Sequence, residues 1–171
     1  MPVWIILLIF GYVDTQSPVF RQKRVGRYQV SFVLLKFRTM RVSTVSVPSH
    51  LVDPKLVTIY GRFLRSSKLD ELPQLWNVFI GEMSLVGPRP GLHSQLELIS
   101  ERECRRVYEV RPGITGLAQI NGIDMSNPKL LAETDRRMID GLDTSSYLKY
   151  IILTLIGKGR GDRIHRYINW L

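Results

Sequence analysis

Leu64-Arg-Ser-Ser-Lys-Leu-Asp-Glu-Leu-Pro-Gln-Leu-Trp-Asn77 is the stretch on which the reading of this chain turns. Upstream, Leu56, Ile59, Tyr60, Phe63 and Leu64 recur at helical spacing, and Leu69, Leu72, Leu75, Trp76 and Phe79 resume the pattern after Ser66-Ser67. Pro73 interrupts the second run, because a proline inside a helix removes a hydrogen bond and clashes with the preceding turn. It belongs in a first turn or at a kink, which puts Asp70 and Glu71 at or just before a helix start. Adjacent carboxylates in that position can hold Mg2+ beside a diphosphate, or one of them can attack phosphorus. They can also simply cap the helix, since Ser67 and Asp70 match the S-x-x-[DE] spacing and acids favour a helix N-terminus.

Further along lie two segments dense in Gly, Pro and Arg: Val86-Gly-Pro-Arg-Pro-Gly91 and Arg111-Pro-Gly-Ile-Thr-Gly116, the latter followed by Asn121-Gly122. Rigid prolines and small glycines fix a loop's path and leave N–H groups free for an anion, and an arginine there supplies a bidentate fork for phosphate. Two such loops could clamp a diphosphate. The alternative is ordinary turn chemistry with a surface arginine. Elsewhere, residues 28–37 read as a strand or hairpin, 41–55 as a loop, and 93–109, 128–141 and 145–157 as helices. The expected fold class is α+β and helix-rich, with a small β-hairpin.

The chain has 171 residues, 44% apolar and 23% charged, enough for a core in one domain or one domain plus an appendage. Its 24 Lys+Arg against 15 Asp+Glu leave a net charge of +9, which favours anionic partners. The single cysteine, Cys104, forbids an internal disulfide and fits a reducing compartment. His50, His93 and His165 lie far apart and show no metal-ligand spacing. A nucleic-acid-binding module would interleave aromatics on a basic face or carry a reading motif, and neither is present.

Residues 3–13 carry no charge, whereas residues 21–41 hold Arg21, Lys23, Arg24, Arg27, Lys36, Arg38 and Arg41 without an acid. That run falls well short of the about 20 residues a membrane-crossing helix needs. It reads instead as a helix dipping into one leaflet, with a basic collar facing anionic headgroups. The expected organisation is therefore a membrane-associated helix over 1–20 and a compact cytoplasmic domain over 21–171.

Lys36-Phe-Arg-Thr-Met40, Leu69-Asp-Glu-Leu-Pro-Gln-Leu-Trp-Asn77, Met83-Ser-Leu-Val-Gly-Pro-Arg-Pro90 and Arg111-Pro-Gly-Ile-Thr-Gly116, with Ala118-Gln119 and Asn121-Gly122, resemble the bacterial sugar transferase family. These are monotopic polyprenol-phosphate phosphoglycosyl transferases that initiate O-antigen, capsule and exopolysaccharide synthesis. The similarity runs in order from about residue 2 to about residue 162, and Gly157-Lys-Gly-Arg-Gly-Asp162 resembles one branch of the family. It implies transfer of a phosphosugar from a UDP-sugar to undecaprenyl phosphate, with release of UMP. By motif match Asp70 would be the nucleophile, forming a covalent aspartyl-phosphosugar, and Glu71 would assist by helping to place Mg2+ or by preparing the lipid phosphate. Both carboxylates are the candidate metal ligands. Lys36, Arg38, Arg65, Arg89 and Arg111 would hold the substrate phosphates, offsetting the charge that keeps a carboxylate from a phosphoanion.

The implied location is the cytoplasmic face of the bacterial inner membrane, in contact with its lipids, with later glycosyltransferases of the pathway as further partners. The rival is a catalytically inactive membrane-associated scaffold of the same pathway. Relatives usually carry about twenty further apolar residues before a Ser-Pro pair, so the re-entrant helix is expected to be shortened at Pro2. Ser17-Pro18 replaces a common Gly-Pro, and Tyr147 stands where many relatives have an aspartate.

Overall fold

A computed structural model describes residues 2–42, 44 and 54–157. The first helix, α1 (Pro2–Thr15), is followed by an antiparallel hairpin of β1 (Val19–Val25) and β2 (Ser31–Phe37), registered from Val19 opposite Phe37 to Val25 opposite Ser31. The sequence placed a strand or hairpin over 28–37; the hairpin spans 19–37, and residues 28–30 belong to its turn. Tyr28 and Gln29 take left-handed φ values of 54° and 60° there. Strand β1 escapes a hydrophobic pattern because its outward face is Arg21 and Lys23, while Gln22 and Arg24 are half-buried on the other. Part of the supposed collar is thus sheet.

Helix α1 is docked onto the rest of the chain. Leu7 is buried against Phe37 and Leu64, with Trp4, Leu8, Tyr60, Leu69 and Leu72 packed around them. The Tyr60 hydroxyl donates to the Leu7 carbonyl at 2.8 Å, and Thr58 donates to the Asp14 carboxylate at 2.6 Å. Ile5, Ile6, Ile9, Phe10, Tyr12 and Val13 remain exposed. Among the described residues no helix is long and apolar enough to cross a membrane.

Helix α2 (Ile59–Ser67) starts at Thr58, whose hydroxyl accepts from Gly61 N at 2.8 Å. It ends at Lys68, which is left-handed at φ 58°. A 3-10 turn (Leu69–Glu71) leads to α3 (Gln74–Phe79), with Pro73 just before it, as the sequence required. Asn77 on α3 is buried and serves as a side-chain partner for β2. Its amide donates to Val33 O at 2.8 Å and to Glu82 at 2.7 Å, and its oxygen accepts from Leu35 N at 3.1 Å.

The next part of the chain holds the element the sequence did not suggest. Strands β3 (Ser84–Val86) and β4 (Gly113–Thr115) pair in parallel, Ser84 beside Gly113 and Val86 beside Thr115. They bring the two Gly-Pro-Arg segments side by side. Between them, α4 covers only Leu96–Cys104, where the sequence suggested one helix over 93–109. Left-handed Arg106 (φ 57°) breaks it, and a 3-10 turn at Val107–Glu109 buries Val107 and returns the chain to β3. Cys104 is exposed at the end of α4.

A short α5 (Leu117–Ile120) precedes α6 (Pro128–Asp140), capped by Asn127, and α7 (Thr144–Leu155), whose Asp143 and Ser146 form a capping box. Helix α7 meets the parallel joint through hydroxyls, Tyr147 to Ser84 at 3.1 Å and Thr154 to Thr115 at 2.5 Å. Its Leu148, Ile152 and Leu155 are exposed. Most of the 41–55 loop, His50, His165 and the motif beyond Gly157 lie outside the described residues.

Candidate active site

The acidic pair sits on the tight turn between α2 and α3. Leu69 and Leu72 are three residues apart, and 3-10 geometry puts such residues on one side; both pack against the Leu7, Phe37 and Leu64 core. Asp70 is only 9% exposed, and Glu71 is half-buried. Capping does not account for them. The Ser67 hydroxyl donates back to the Phe63 and Leu64 carbonyls at 2.8 and 3.1 Å, ending α2 rather than opening the next turn. Neither the 3-10 turn nor α3 has a side-chain cap.

Two cations from distant parts of the chain meet Glu71. Lys36 Nζ on β2 lies 3.4 Å from Glu71 Oε1, and Arg89 Nη1, in the loop after β3, lies 3.5 Å from the same oxygen. All three side chains are largely withdrawn from water, so these long pairs are screened less than surface ones. Lys68 is a third cation beside the pair. Burial holds its ammonium below the usual lysine range; the Glu71 charge opposes that, Arg89 reinforces it, and Asp70 opposes it. Lys68 Nζ also lies 3.5 Å from the Thr154 carbonyl on α7.

Of the other expected phosphate ligands, Arg65 is adjacent, one turn before the dyad. Its Nε donates to Thr39 Oγ1 at 2.9 Å, and its buried Nη1 has no hydrogen-bond partner among the described residues. A buried guanidinium N–H without an acceptor suits an anionic oxygen. Arg111 is exposed near the end of α3, where a Cβ on Gly81 would meet its Nη2 at 3.8 Å. Arg38 is placed differently: its Nε donates to Ser17 O at 2.8 Å, its Nη2 to Ser17 Oγ at 3.3 Å, and its guanidinium lies over Phe20. It braces the junction of α1 and β1.

Beside Glu71 a shallow cleft opens between Arg24, Lys36, Leu34, Gln74, Arg89 and Pro90. Sequence reading missed Arg24, Lys68 and Gln74 as site residues. The signal for Arg24 was its alternation with Arg21 and Lys23; Lys68 had only its position two residues before Asp70. For Gln74 there was none beyond the motif itself. As for a metal, no three His, Cys, Asp or Glu side chains cluster among the described residues. Two adjacent carboxylates beside a cleft lined by Lys36, Arg24 and Arg89 fit the mode in which Mg2+ is held by one or two carboxylates plus substrate phosphates.

The turn sets paired carboxylates among lysines and an arginine from β2, the end of α2 and the loop after β3, an arrangement with the charge to receive a phosphorylated ligand. This chain belongs to the bacterial sugar transferase family, whose profile matches residues 1–158. It is 44% identical over 140 residues to an uncharacterized sugar transferase, EpsL, of Bacillus subtilis (strain 168), covering 81% of this chain and 69% of that protein. It is 37% identical over 150 residues to a UDP-glucose:undecaprenyl-phosphate glucose-1-phosphate transferase of Xanthomonas campestris pv. campestris, covering 82% of this chain and 31% of the other. A protein of the same name in Caulobacter vibrioides is 42% identical over 126 residues, 70% of this chain and 47% of that one. The chain thus spans most of EpsL but less than half of the two named for a reaction.

Proposed function

We propose that this protein is a phosphoglycosyl transferase that moves a phosphosugar from a UDP-sugar to undecaprenyl phosphate and releases UMP. The observation that carries this reading is the buried Asp70-Glu71 turn, with Lys36, Lys68 and Arg89 around it, in a chain whose relatives are named for that transfer. In the first step an Asp70 carboxylate oxygen attacks the β-phosphorus of the donor. The bond from that phosphorus to the bridging oxygen breaks, and UMP departs with the oxygen and its electron pair. In the second, an oxygen of undecaprenyl phosphate attacks the same phosphorus, frees the Asp70 carboxylate and leaves a lipid-linked diphosphosugar.

Each cation has a part in this. Lys36 and Arg89 draw phosphate oxygens toward the dyad and offset the repulsion between carboxylate and phosphoanion. Arg65 offers Nη1, which has no partner among the described residues, to a further oxygen, and Arg111 extends the positive field. Glu71, held by Lys36 and Arg89, positions both cations and prepares the lipid phosphate. Asp70 and Glu71 would hold Mg2+, which supplies charge neutralisation on the diphosphate.

A lipid acceptor requires the site to lie at a bilayer surface, and we place it on the cytoplasmic face of the bacterial inner membrane. Ile5, Ile9 and Phe10 on α1, Phe63 on α2, Trp76 and Phe79 on α3 and Ile152 on α7 are exposed apolar groups that support contact with lipid. The test uses a UDP-sugar labelled in both sugar and β-phosphate. Brief incubation should leave both labels on the wild-type protein and none on Asp70→Asn, with turnover of the variant reduced by several orders of magnitude. Label or substantial turnover in Asp70→Asn would remove Asp70 as nucleophile. No UMP release from any common UDP-sugar in the presence of undecaprenyl phosphate would favour the inactive scaffold.

A further inference from the structure

The loop that carries Arg89 cannot hold itself in place. Pro88 and Pro90 contribute no N–H, so its conformation depends on donors from elsewhere. Four consecutive carbonyls find them. Gly113 N donates to Pro88 O at 2.9 Å, Arg102 Nη1 to Arg89 O at 2.8 Å, Arg24 Nη1 to Pro90 O at 3.1 Å and Val25 N to Gly91 O at 3.0 Å. The donors come from β4, α4 and β1.

Arg102 differs from the others in being a buried charge. It is 1% exposed, and its partner Asp135 on α6 is fully buried. Its Nε and Nη2 both donate to Asp135 Oδ2, at 3.0 and 2.7 Å. Desolvating two charges offsets much of their attraction, so such a pair is a weak source of stability. What it provides is direction. With Nε and Nη2 fixed by Asp135, the planar guanidinium leaves Nη1 aimed at one carbonyl, that of Arg89.

We propose that Arg102, locked by Asp135, is a positioning residue that acts on the site through Arg89. Its bond to the Arg89 carbonyl ties the backbone toward α4, while the Arg89 side chain reaches Glu71 and lines the cleft. The inference rests on the reading of Arg89 as a phosphate ligand. A lysine cannot replace the fork, since its single ammonium cannot keep two bonds to one carboxylate oxygen and a third to the carbonyl in fixed geometry.

The test compares Arg102→Lys, Arg89→Ala and the double variant, as full-length proteins, by initial rates with a UDP-sugar. Arg102→Lys is expected to raise KM for the UDP-sugar by about tenfold or more, the scale of one hydrogen bond to a charged group, with a smaller change in kcat. On the Arg89→Ala background the same substitution should add less than about twofold, because the residue through which it acts is gone. Equal proportional losses in both backgrounds would overturn the proposal. If Arg102→Lys does not fold, Asp135→Asn, of the same shape, carries the same comparison. Amide exchange at Gly113 and Val25, whose N–H groups hold the Pro88 and Gly91 carbonyls, gives a readout independent of turnover. It should accelerate in the variant relative to the amides of β3, and unchanged protection would overturn the clamp. A wild-type protein inactive on every UDP-sugar would defeat the proposed function, and the exchange measurement would still decide the clamp.

Discussion

Substituting Gly113 by alanine attacks the joint that holds the two arginine loops together. A Cβ there would lie 2.0 Å from Gly87 N, 2.5 Å from Gly87 Cα and 2.6 Å from the Val86 carbonyl carbon. All are backbone atoms, so no side chain can swing aside; the strands must part by about 1 Å in a close-packed interior. The bonds that cross this joint include Ser84 N to Pro112 O and Gly87 N to Thr115 O, both 2.8 Å, and Gly113 N to Pro88 O at 2.9 Å. Leaving two of them broken costs about 1–3 kcal/mol each, or about 2–6 kcal/mol together. About 1 kcal/mol moves the Tm of a protein of this size by about 2–4 °C, so a fall on the order of 10 °C is expected. Activity should fall further than stability, because about 1 Å of displacement near a reacting centre can cost about 100-fold. Gly141→Ala is the control, since among the described residues its Cβ would meet only Arg137 O, at 3.5 Å. Thermal denaturation by circular dichroism and UMP release measure the two effects. A Gly113→Ala protein melting within about 2 °C of wild type with normal turnover would refute the argument.

Asn77→Leu should cost about 2–4 kcal/mol in chemical denaturation, because Val33 O and Leu35 N lose a buried partner; a change below about 0.5 kcal/mol would show that β2 finds other partners. Arg38→Lys and Arg89→Lys should separate: the first lowers Tm with KM little changed, since Arg38 braces Ser17. The second lowers kcat/KM by about tenfold or more at unchanged Tm. Identical kinetic defects in both would place Arg38 in the phosphate site after all. Chelation by EDTA should abolish UMP release and added Mg2+ restore it, whereas full activity in chelated buffer would remove the metal from the proposal.

What the sequence made legible follows from the range of the forces involved. Helices α2, α3, α6 and α7 carry their own periodicity, and Pro73 alone forces the dyad to a helix start. Strand β1 was hidden because its pattern is written in arginine and lysine, which keep their heads in water while the stem lies on the sheet. Strands β3 and β4 have three residues each, too few for a period, and their pairing joins residues far apart in the chain. For the same reason the meeting of Lys36, Glu71 and Arg89 was legible only as a set of residue types. Arg106 broke a helix that its neighbours' propensity would have continued, because burying Val107 and returning to β3 outweighed the cost of a left-handed arginine.

The same geometry supports the proposed use of Asp70 as a nucleophile toward an anion. In an α-helix Leu69 and Leu72 would share a face about 60° apart, whereas the 3-10 turn, at three residues per turn, brings them directly into line. The short turn lets both leucines bury on the Leu7, Phe37 and Leu64 cluster, which fixes the backbone of Asp70 and Glu71 between them. Around those two negative charges stand three positive ones, Lys36, Lys68 and Arg89, with Arg65 one turn away. With Lys68 charged, the immediate surroundings of the dyad carry a positive excess before any ligand enters, and an arriving diphosphate relieves it. On the proposed mechanism, removing any one of the three would tip the balance and leave carboxylate and phosphate repelling each other at the distance where they would react.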